Sequence, residues 1–268
     1  PYSEKDIMTI FGNEIMADWF KRVRNNDRTV KLYLNDYSIL TAVYGEKIDG
    51  IIGFAVLSRY IVKLDYDKML VTFSTNGTIR YPRGGYLLRP SFNQLVTQPL
   101  RVKDNATINS RFLFDLGAGL CMLFSKEFAE DSSLLHKKRK KWVKQGEGLG
   151  GKIDMELTVI KEVKVGPYKF RKVPVFVFDD EYNVTSYPYM GGLIGNDIMR
   201  RFNVIMNYQK GDIYISPNRH FTESFDYSYS GVELYLIDGV MVAGDIAKGS
   251  PAEAAGLQEG DQVIGINK

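Results

Sequence analysis

From Gly50 to Ser74 (GIIGFAVLSRYIVKLDYDKMLVTFS) an apolar run ending in glycine gives way to a short mixed stretch and then to two apolar-rich runs. This succession predicts a buried strand, a short helix over FAVLSRY and two strands joined by a tight turn at Asp67-Lys68. The same pattern returns without a gap 142 residues later, from Gly192 to Ser216 (GLIGNDIMRRFNVIMNYQKGDIYIS), with its helix over NDIMRRF and its turn at Lys210-Gly211. Eight of the 25 aligned positions are identical: Gly50/Gly192, Ile52/Ile194, Gly53/Gly195, Arg59/Arg201, Val62/Val204, Tyr66/Tyr208, Lys68/Lys210 and Ser74/Ser216. A supersecondary unit repeated in this way points to internal duplication. Further strands are expected from Pro99 (PLRV), Arg111 (RFLF), Ile153 (IDMELTVI) and Val173 (VPVFVF). The first copy has only 49 residues before it, whereas the second has about 100 of its own lobe, counted from Pro90. If the copies were once equal, the first has lost its front end.

Within Arg111 to Ser125 (RFLFDLGAGLCMLFS) an apolar strand ends on Asp115, and Gly117, Ala118 and Gly119 follow at once. Small residues there allow close backbone approach, so the carboxylate lies at a tight turn. An isolated Asp-x-Gly is ordinarily a turn cap. What changes the reading is the second apolar run, Gly192 to Gly195, which lies 77 residues beyond Asp115 and is followed by a short helix and a strand pair.

FDLGAG followed by GLIGNDIMRRFNVIMNY resembles the retropepsin-like aspartic proteases, bacterial members especially, in a bilobal, pepsin-like arrangement. The resemblance covers roughly Pro90 to Ser216, and Gly50 to Ser74 repeats its second element. It implies an all-β, two-lobed acid-protease fold with Asp115 as catalytic residue, Leu116, Gly117 and Ala118 as the active-site turn, and Leu193, Ile194 and Gly195 as the strand beside it. Two carboxylates held close together share one proton; the ionised one accepts a proton from water while the other donates to the substrate carbonyl. The second Asp, displaced by the repeat, is expected upstream of Pro1, unless a second chain supplies it in a single-lobed dimer. The family carries Thr or Ser after the catalytic Asp, and Leu116 has no hydroxyl to offer. The resemblance therefore leaves two functions open: an aspartic endopeptidase acting on an extended polypeptide, or an inactive peptide-binding protein of the same fold.

Gly146-Glu147-Gly148-Leu149-Gly150-Gly151 matches G-x-G-x-x-G in form, but it follows a basic run and leads into an alternating strand, which is the wrong context for a dinucleotide cradle. Gly146, Gly148, Gly150 and Gly151 are read instead as a mobile turn, placed where related proteases carry a flap over the cleft.

Composition narrows the field further. Thirty-five basic against 32 acidic residues leave a net charge of +3, no field of the kind that draws nucleic acid. The run from Lys137 to Lys141 reads as a solvated loop. His136 and His220 lack ligand spacing, so neither a metal nor another cofactor is expected. Cys121 sits inside GLCMLF, where a buried side chain is the default and a thiol-nucleophile pairing with His136 is disfavoured. No apolar run approaches the length of a membrane span, and a chain opening on Pro1 reads as a piece of something longer.

Past Phe221 a polar and aromatic connector (221–230) leads into a new pattern. Ser250 is expected to cap a short helix with Pro251 at its first position, Gly256 to end it, and Glu259-Gly260-Asp261 to turn into a strand, QVIGIN. GSPAEAAGLQEGDQVIGIN resembles the PDZ domains of bacterial envelope proteases, which hold a peptide as an added strand. The expected organisation is therefore the rest of a first protease lobe (1–85), a second lobe (86–220), the connector and the beginning of a PDZ domain (231–268). The resemblance also implies a protein acting outside the cytoplasm.

Overall fold

The computed structural model describes residues 37–267 apart from 76, 94, 137, 149, 150, 182, 183, 186, 226 and 228. Strands make up most of the regular structure, and two of the sheets share one core. The larger sheet contains β4 (Ser91–Asn93), β5 (Leu95–Lys103), β6 (Thr107–Phe114), β7 (Met122–Ser125), β8 (Trp142–Gly148), β9 (Gly151–Val165), β10 (Tyr168–Phe178) and β11 (Gly192–Ile194). Their order is β4-β5-β6-β11-β7-β10-β9-β8, and an added pairing of β5 with β9 through Val102 and Val163 closes the sheet on itself. Closure satisfies backbone groups that an open edge would leave unpaired. Inside it Phe112, Phe124 and Phe128 meet in tilted and edge-to-face contacts with centroids 5.5–5.7 Å apart. The third ring comes from α3 (Lys126–Asp131), which Ser125 caps by accepting from the Phe128 amide.

The smaller sheet is built from the two segments that align at the 142-residue offset. β1 (Tyr60–Asp65) and β2 (Leu70–Thr75) form one hairpin; β12 (Phe202–Asn207) and β13 (Asp212–Pro217) form the other, and β3 (Tyr86–Leu88) adds to β13, giving the order β2-β1-β12-β13-β3. β1 and β12 run antiparallel with Lys63 opposite Ile205, and these two residues hold the same position in the repeat. The pairing is thus two-fold about that point. Val62, Val204, Met206, Ile213 and Ile215 reach into the same core as the larger sheet. The outer hairpins differ: β13 is mostly buried, whereas β2, an edge strand without a counterpart of β3, is mostly exposed.

The buried apolar run expected at the head of each copy forms only in the second, as β11; in the first, residues 51–53 form no strand and Ile51 and Ile52 are exposed, because no described strand lies on either side of them. A helix of four residues follows in each copy, α2 (Phe54–Leu57) and α4 (Asn196–Met199). Both are shorter than the seven-residue stretches expected. Tyr60 and Phe202, expected to close those helices, instead open β1 and β12, because their rings pack against the core or lie within it. In the hairpin turns Met69 takes φ 53° where its counterpart Gly211 takes 65°. Arg201 is buried and donates to the carbonyls of Asp197, His220, Glu223 and Ser224 while lying 4.0 Å over the Phe225 ring. It thereby fastens the segment after β13 against α4.

Toward the C-terminus β14 (Val232–Ile237) and β15 (Val240–Ile246) form a hairpin through Asp238-Gly239, both at positive φ. The short helix α5 (Pro251–Ala254) has Pro251 in its first turn and is capped by Ser250, which accepts from the Glu253 amide; Gly256 follows at φ 83°. The strand expected over QVIGIN does not form. That segment makes a single bridge, Gln262 opposite Val242, and Ile264 and Ile266 lie exposed. An isolated bridge on a two-stranded ribbon has no apolar face to bury, which leaves these residues outside a sheet. The hairpin meets the larger sheet through an ion pair of Lys144 with Glu233. α1 (Ser38–Tyr44) lies against both β14 and β8. No described helix is long and apolar enough to cross a membrane.

Two measurements test this account of the paired hairpins. Met69 is exposed, and a left-handed conformation costs a side-chain-bearing residue more than it costs glycine. Met69→Gly should therefore raise unfolding stability by about 0.5–1 kcal/mol, read from urea midpoints. Asp67 joins the copies by accepting from Asn203 Nδ2 at 2.8 Å and from the Arg219 amide at 3.1 Å. The Asn203 bond, then the Arg219 amide, holds its carboxyl below the ordinary value. A depressed folded value stabilises the fold above the unfolded value, about 4, and that contribution disappears as pH falls through the folded value. Asp67→Asn should accordingly be less stable than wild type at pH 7, with the difference closing below about pH 4.

Candidate active site

Asp115 is delivered by β6, whose Phe112 anchors the strand in the core while the chain runs out into the turn. β11 lies beside it. It pairs in parallel with β6, Leu193 opposite Leu113 and Ile194 opposite Phe114, and antiparallel with β7, Ile194 opposite Met122. The Asp115 amide donates to the Ile194 carbonyl at 3.0 Å, so the ladder continues onto the acidic residue itself. Leu193 and Ile194 are buried, and the predicted strand and the predicted carboxylate are brought together.

Beyond the ladder the turn is held from two sides. The Gly117 amide donates to Asp115 Oδ1 at 2.8 Å, closing a local turn that fixes the carboxylate. From across the seam, the Gly195 amide donates to the Cys121 carbonyl at 2.9 Å, Asn196 to Ala118 at 2.8 Å and Asp197 to Leu120 at 3.2 Å. The amides opening α4, which a helix leaves without internal partners, are thus used to hold the acidic turn. Such close approach requires Gly195: a Cβ there would stand 2.2 Å from the Leu120 carbonyl oxygen and 2.8 Å from that of Ala118. Leu116 does not face across the turn in search of a partner but packs against the main apolar core.

Two tyrosines reach this site from the first part of the chain, and the sequence pattern had singled out neither for it. Tyr66 Oη donates to Asn196 Oδ1 at 2.6 Å, and burial pushes its hydroxyl up to about 12. Its counterpart Tyr208 meets Phe54, the counterpart of Asn196, edge-to-face at 5.6 Å. Tyr44, the last residue of α1, places its hydroxyl 3.3 Å from the Gly117 carbonyl oxygen. The identity of Tyr66 and Tyr208 in the repeat was a usable signal for the first; nothing local marks Tyr44.

The remaining candidates sort themselves. Gly146 and Gly148 lie in β8 and Gly151 opens β9, with Gly148 opposite Gly151, so these glycines belong to hairpin strands and are not a free turn. Gly150 lies outside the described residues, as does Lys137. The basic run is partly neutralised: Arg139 pairs with Asp104 at 2.8 Å and Lys141 with Glu156 at 2.5 Å. Cys121 is buried, and burial, with the Asp197 carboxylate beside it, pushes its thiol well above the ordinary range. It stays protonated and is no nucleophile. Among the described residues no group of three His, Cys, Asp or Glu side chains is arranged to hold a metal. A cavity of about 400 Å³ lies elsewhere, between β8 and α5, and Asp115 does not line it.

Residues 99–198 match the family model described as aspartyl protease. That span begins in β5 and ends in α4, enclosing Asp115, the turn and Gly195. No curated protein matches the chain. Among solved structures, the chain is similar to a retropepsin-like aspartic protease from Rickettsia conorii, at 17% identity over 50% of this chain and 99% of that one, with a TM-score of 0.36.

The two copies make a paired test of the packing at the glycine. Gly195→Ala should destabilise the chain by about 3 kcal/mol, since backbone carbonyls occupy the space. In the chain of residues 1–268, Gly53→Ala, with nothing within 4 Å of the added carbon, should change stability by less than about 1 kcal/mol. Thermal or urea unfolding of the two variants separates these outcomes.

Proposed function

We propose that this chain belongs to an aspartic endopeptidase and that Asp115 is one of its two catalytic carboxylates. The observation that carries the reading is the fixed turn: Asp115 extends the β6–β11 ladder, its side chain is held by Gly117, and its loop is pinned by the amides of Gly195, Asn196 and Asp197. The aspartyl-protease match over this span supports it. A carboxylate so placed can take a proton from a water molecule as the water attacks a peptide carbonyl. The second carboxyl, protonated, donates to the carbonyl oxygen, and the tetrahedral intermediate then expels the amine after a proton reaches its nitrogen. Neither a metal nor a redox cofactor is needed for these transfers.

The second carboxylate belongs, in this reading, to a duplicate of the β6-turn-β7 unit lying upstream of Pro1. Exposure in the first copy supports this reading. Ile51 is 57% exposed and Ile52 37%, while their counterparts Leu193 and Ile194 are 7% and 0% exposed between two strands. Gly53 has open space where Gly195 meets two carbonyls. A bilobal enzyme derived by duplication would fill both. The substrate is an extended polypeptide, with the β8–β9 hairpin as its flap. The capped segment from Gly231 onward is the start of a PDZ domain that recruits protein chains, and the protein acts outside the cytoplasm.

The test is cleavage of an unfolded protein across acid pH by the full-length protein and its Asp115→Asn variant. Loss of at least roughly 10³-fold in kcat/KM is expected on removing a dyad carboxylate. Equal cleavage by both would remove Asp115 from the mechanism, and absence of cleavage by the wild type would leave a peptide-binding protein.

A further inference from the structure

We infer that Tyr44 is a positioning residue for the Asp115 turn; this rests on the endopeptidase reading above. The turn has an inner and an outer side. On the inner side every described anchor comes from its own sheet or from the start of α4: the Ile194 carbonyl takes the Asp115 amide, and the carbonyls of Ala118, Leu120 and Cys121 take the amides of Asn196, Asp197 and Gly195. The Gly117 carbonyl is different. It lies at the tip, two residues past the carboxylate, and receives the hydroxyl of Tyr44 from a segment 73 residues earlier in the chain. The same ring covers Gly119, where an added Cβ would stand 3.1 Å from Tyr44 Oη and 3.3 Å from its Cε1. One side chain thus bears on both glycines of the turn.

Tyr44 is itself held in place. α1 ends on it, with Gly45 at φ 67° donating its amide to the Thr41 carbonyl, and the Ile48 amide donates to Thr41 Oγ1 at 3.0 Å. α1 rests on β8 and β14. The phenol therefore arrives from a seat made by the proposed flap and by the C-terminal hairpin, and it links their position to the catalytic turn. Gly117 matters because its amide holds Asp115 Oδ1. The Gly117 carbonyl belongs to the next peptide unit, whose far end is held where Asn196 donates to the Ala118 carbonyl; holding it fixes the chain beyond the Gly117 Cα and limits the backbone rotation that would carry the amide off the carboxylate. Leu116, packed against the apolar core, offers no polar group for this restraint. Tyr44 supplies it from outside the lobe.

The experiment compares full-length wild type with Tyr44→Phe, which removes the hydroxyl and keeps the ring, and with Tyr44→Ala, which removes both. Tyr44 is 49% exposed, so both variants should unfold at the wild-type temperature. Loss of one neutral hydrogen bond should speed hydrogen exchange at the Gly117 amide about fivefold in Tyr44→Phe. It should lower kcat by a similar factor, with KM changed less than about twofold, and shift the acid limb of the kcat profile, a readout that a role in overall stability alone would leave still. Tyr44→Ala should go further in each. Unchanged exchange in Tyr44→Phe overturns the brace whatever the activity. Faster exchange with kcat and its pH profile unchanged overturns the positioning role. Absence of Asp115-dependent cleavage in the wild type overturns the endopeptidase reading, and exchange alone then decides whether Tyr44 holds the turn.

Discussion

Everything proposed for this chain depends on one seam, the three-strand contact in which β11 lies parallel to β6 and antiparallel to β7. A parallel neighbour and an antiparallel neighbour on the same short strand bring two chain crossings within reach of each other. Asp115 leaves β6 at the point where Gly195 leaves β11. Because the amides opening α4 are then spent on the carbonyls of Ala118, Leu120 and Cys121, the acidic turn is part of the ladder's hydrogen bonding and not a loop set on top of it. Moving the carboxylate would cost several backbone bonds at once, and that is the kind of preorganisation a proton-transferring group needs.

The second sheet explains why the first is not free-standing. β12 follows α4 directly and pairs with β1 about Lys63 and Ile205, so the same repeated unit that pins the turn also joins the two parts of the chain. Symmetry in the backbone does not carry over to burial. Tyr66 meets Asn196 with a short hydrogen bond, while Tyr208 meets Phe54 with an aromatic edge. Asn196 serves the turn; Phe54, partly exposed, faces a place where the described residues bring no turn. The divergence of the two positions follows what each has to touch.

Much of this arrangement was legible in the sequence because it rests on local chemistry. The apolar strand ending at Gly195, the short helices and the hairpins after them follow from pattern and glycine placement, and the Asp-x-Gly marks its turn at the end of β6, whereas the run ending in Gly53 forms no strand and lies exposed. The helices came out shorter because Tyr60 and Phe202 are drawn into strands by the core. The QVIGIN segment failed as a strand for the complementary reason: alternation is present, but no third strand or apolar face receives it. What pattern does not encode is long-range partnership. Tyr44 and Gly117 are 73 residues apart, and no periodicity in either segment points to the other.

Arg201 shows the same limit from the opposite side. Its identity with Arg59 marked the position as one the repeat retains, without saying why a cation should lie inside an apolar unit. The structure supplies the reason in four carbonyls and one aromatic face. A buried guanidinium is tolerable when its donors are satisfied, and here burial acts first, lowering its proton affinity from the free value. Those carbonyls belong to α4 and to residues 220–224. The cation therefore ties the helix that pins the Asp115 turn to the segment leading toward the C-terminal hairpin, and α1 closes the circuit by resting on β14 and reaching the turn through Tyr44. The turn is thus linked toward the C-terminal hairpin by two routes, one through α4 and Arg201 and one through α1 and Tyr44.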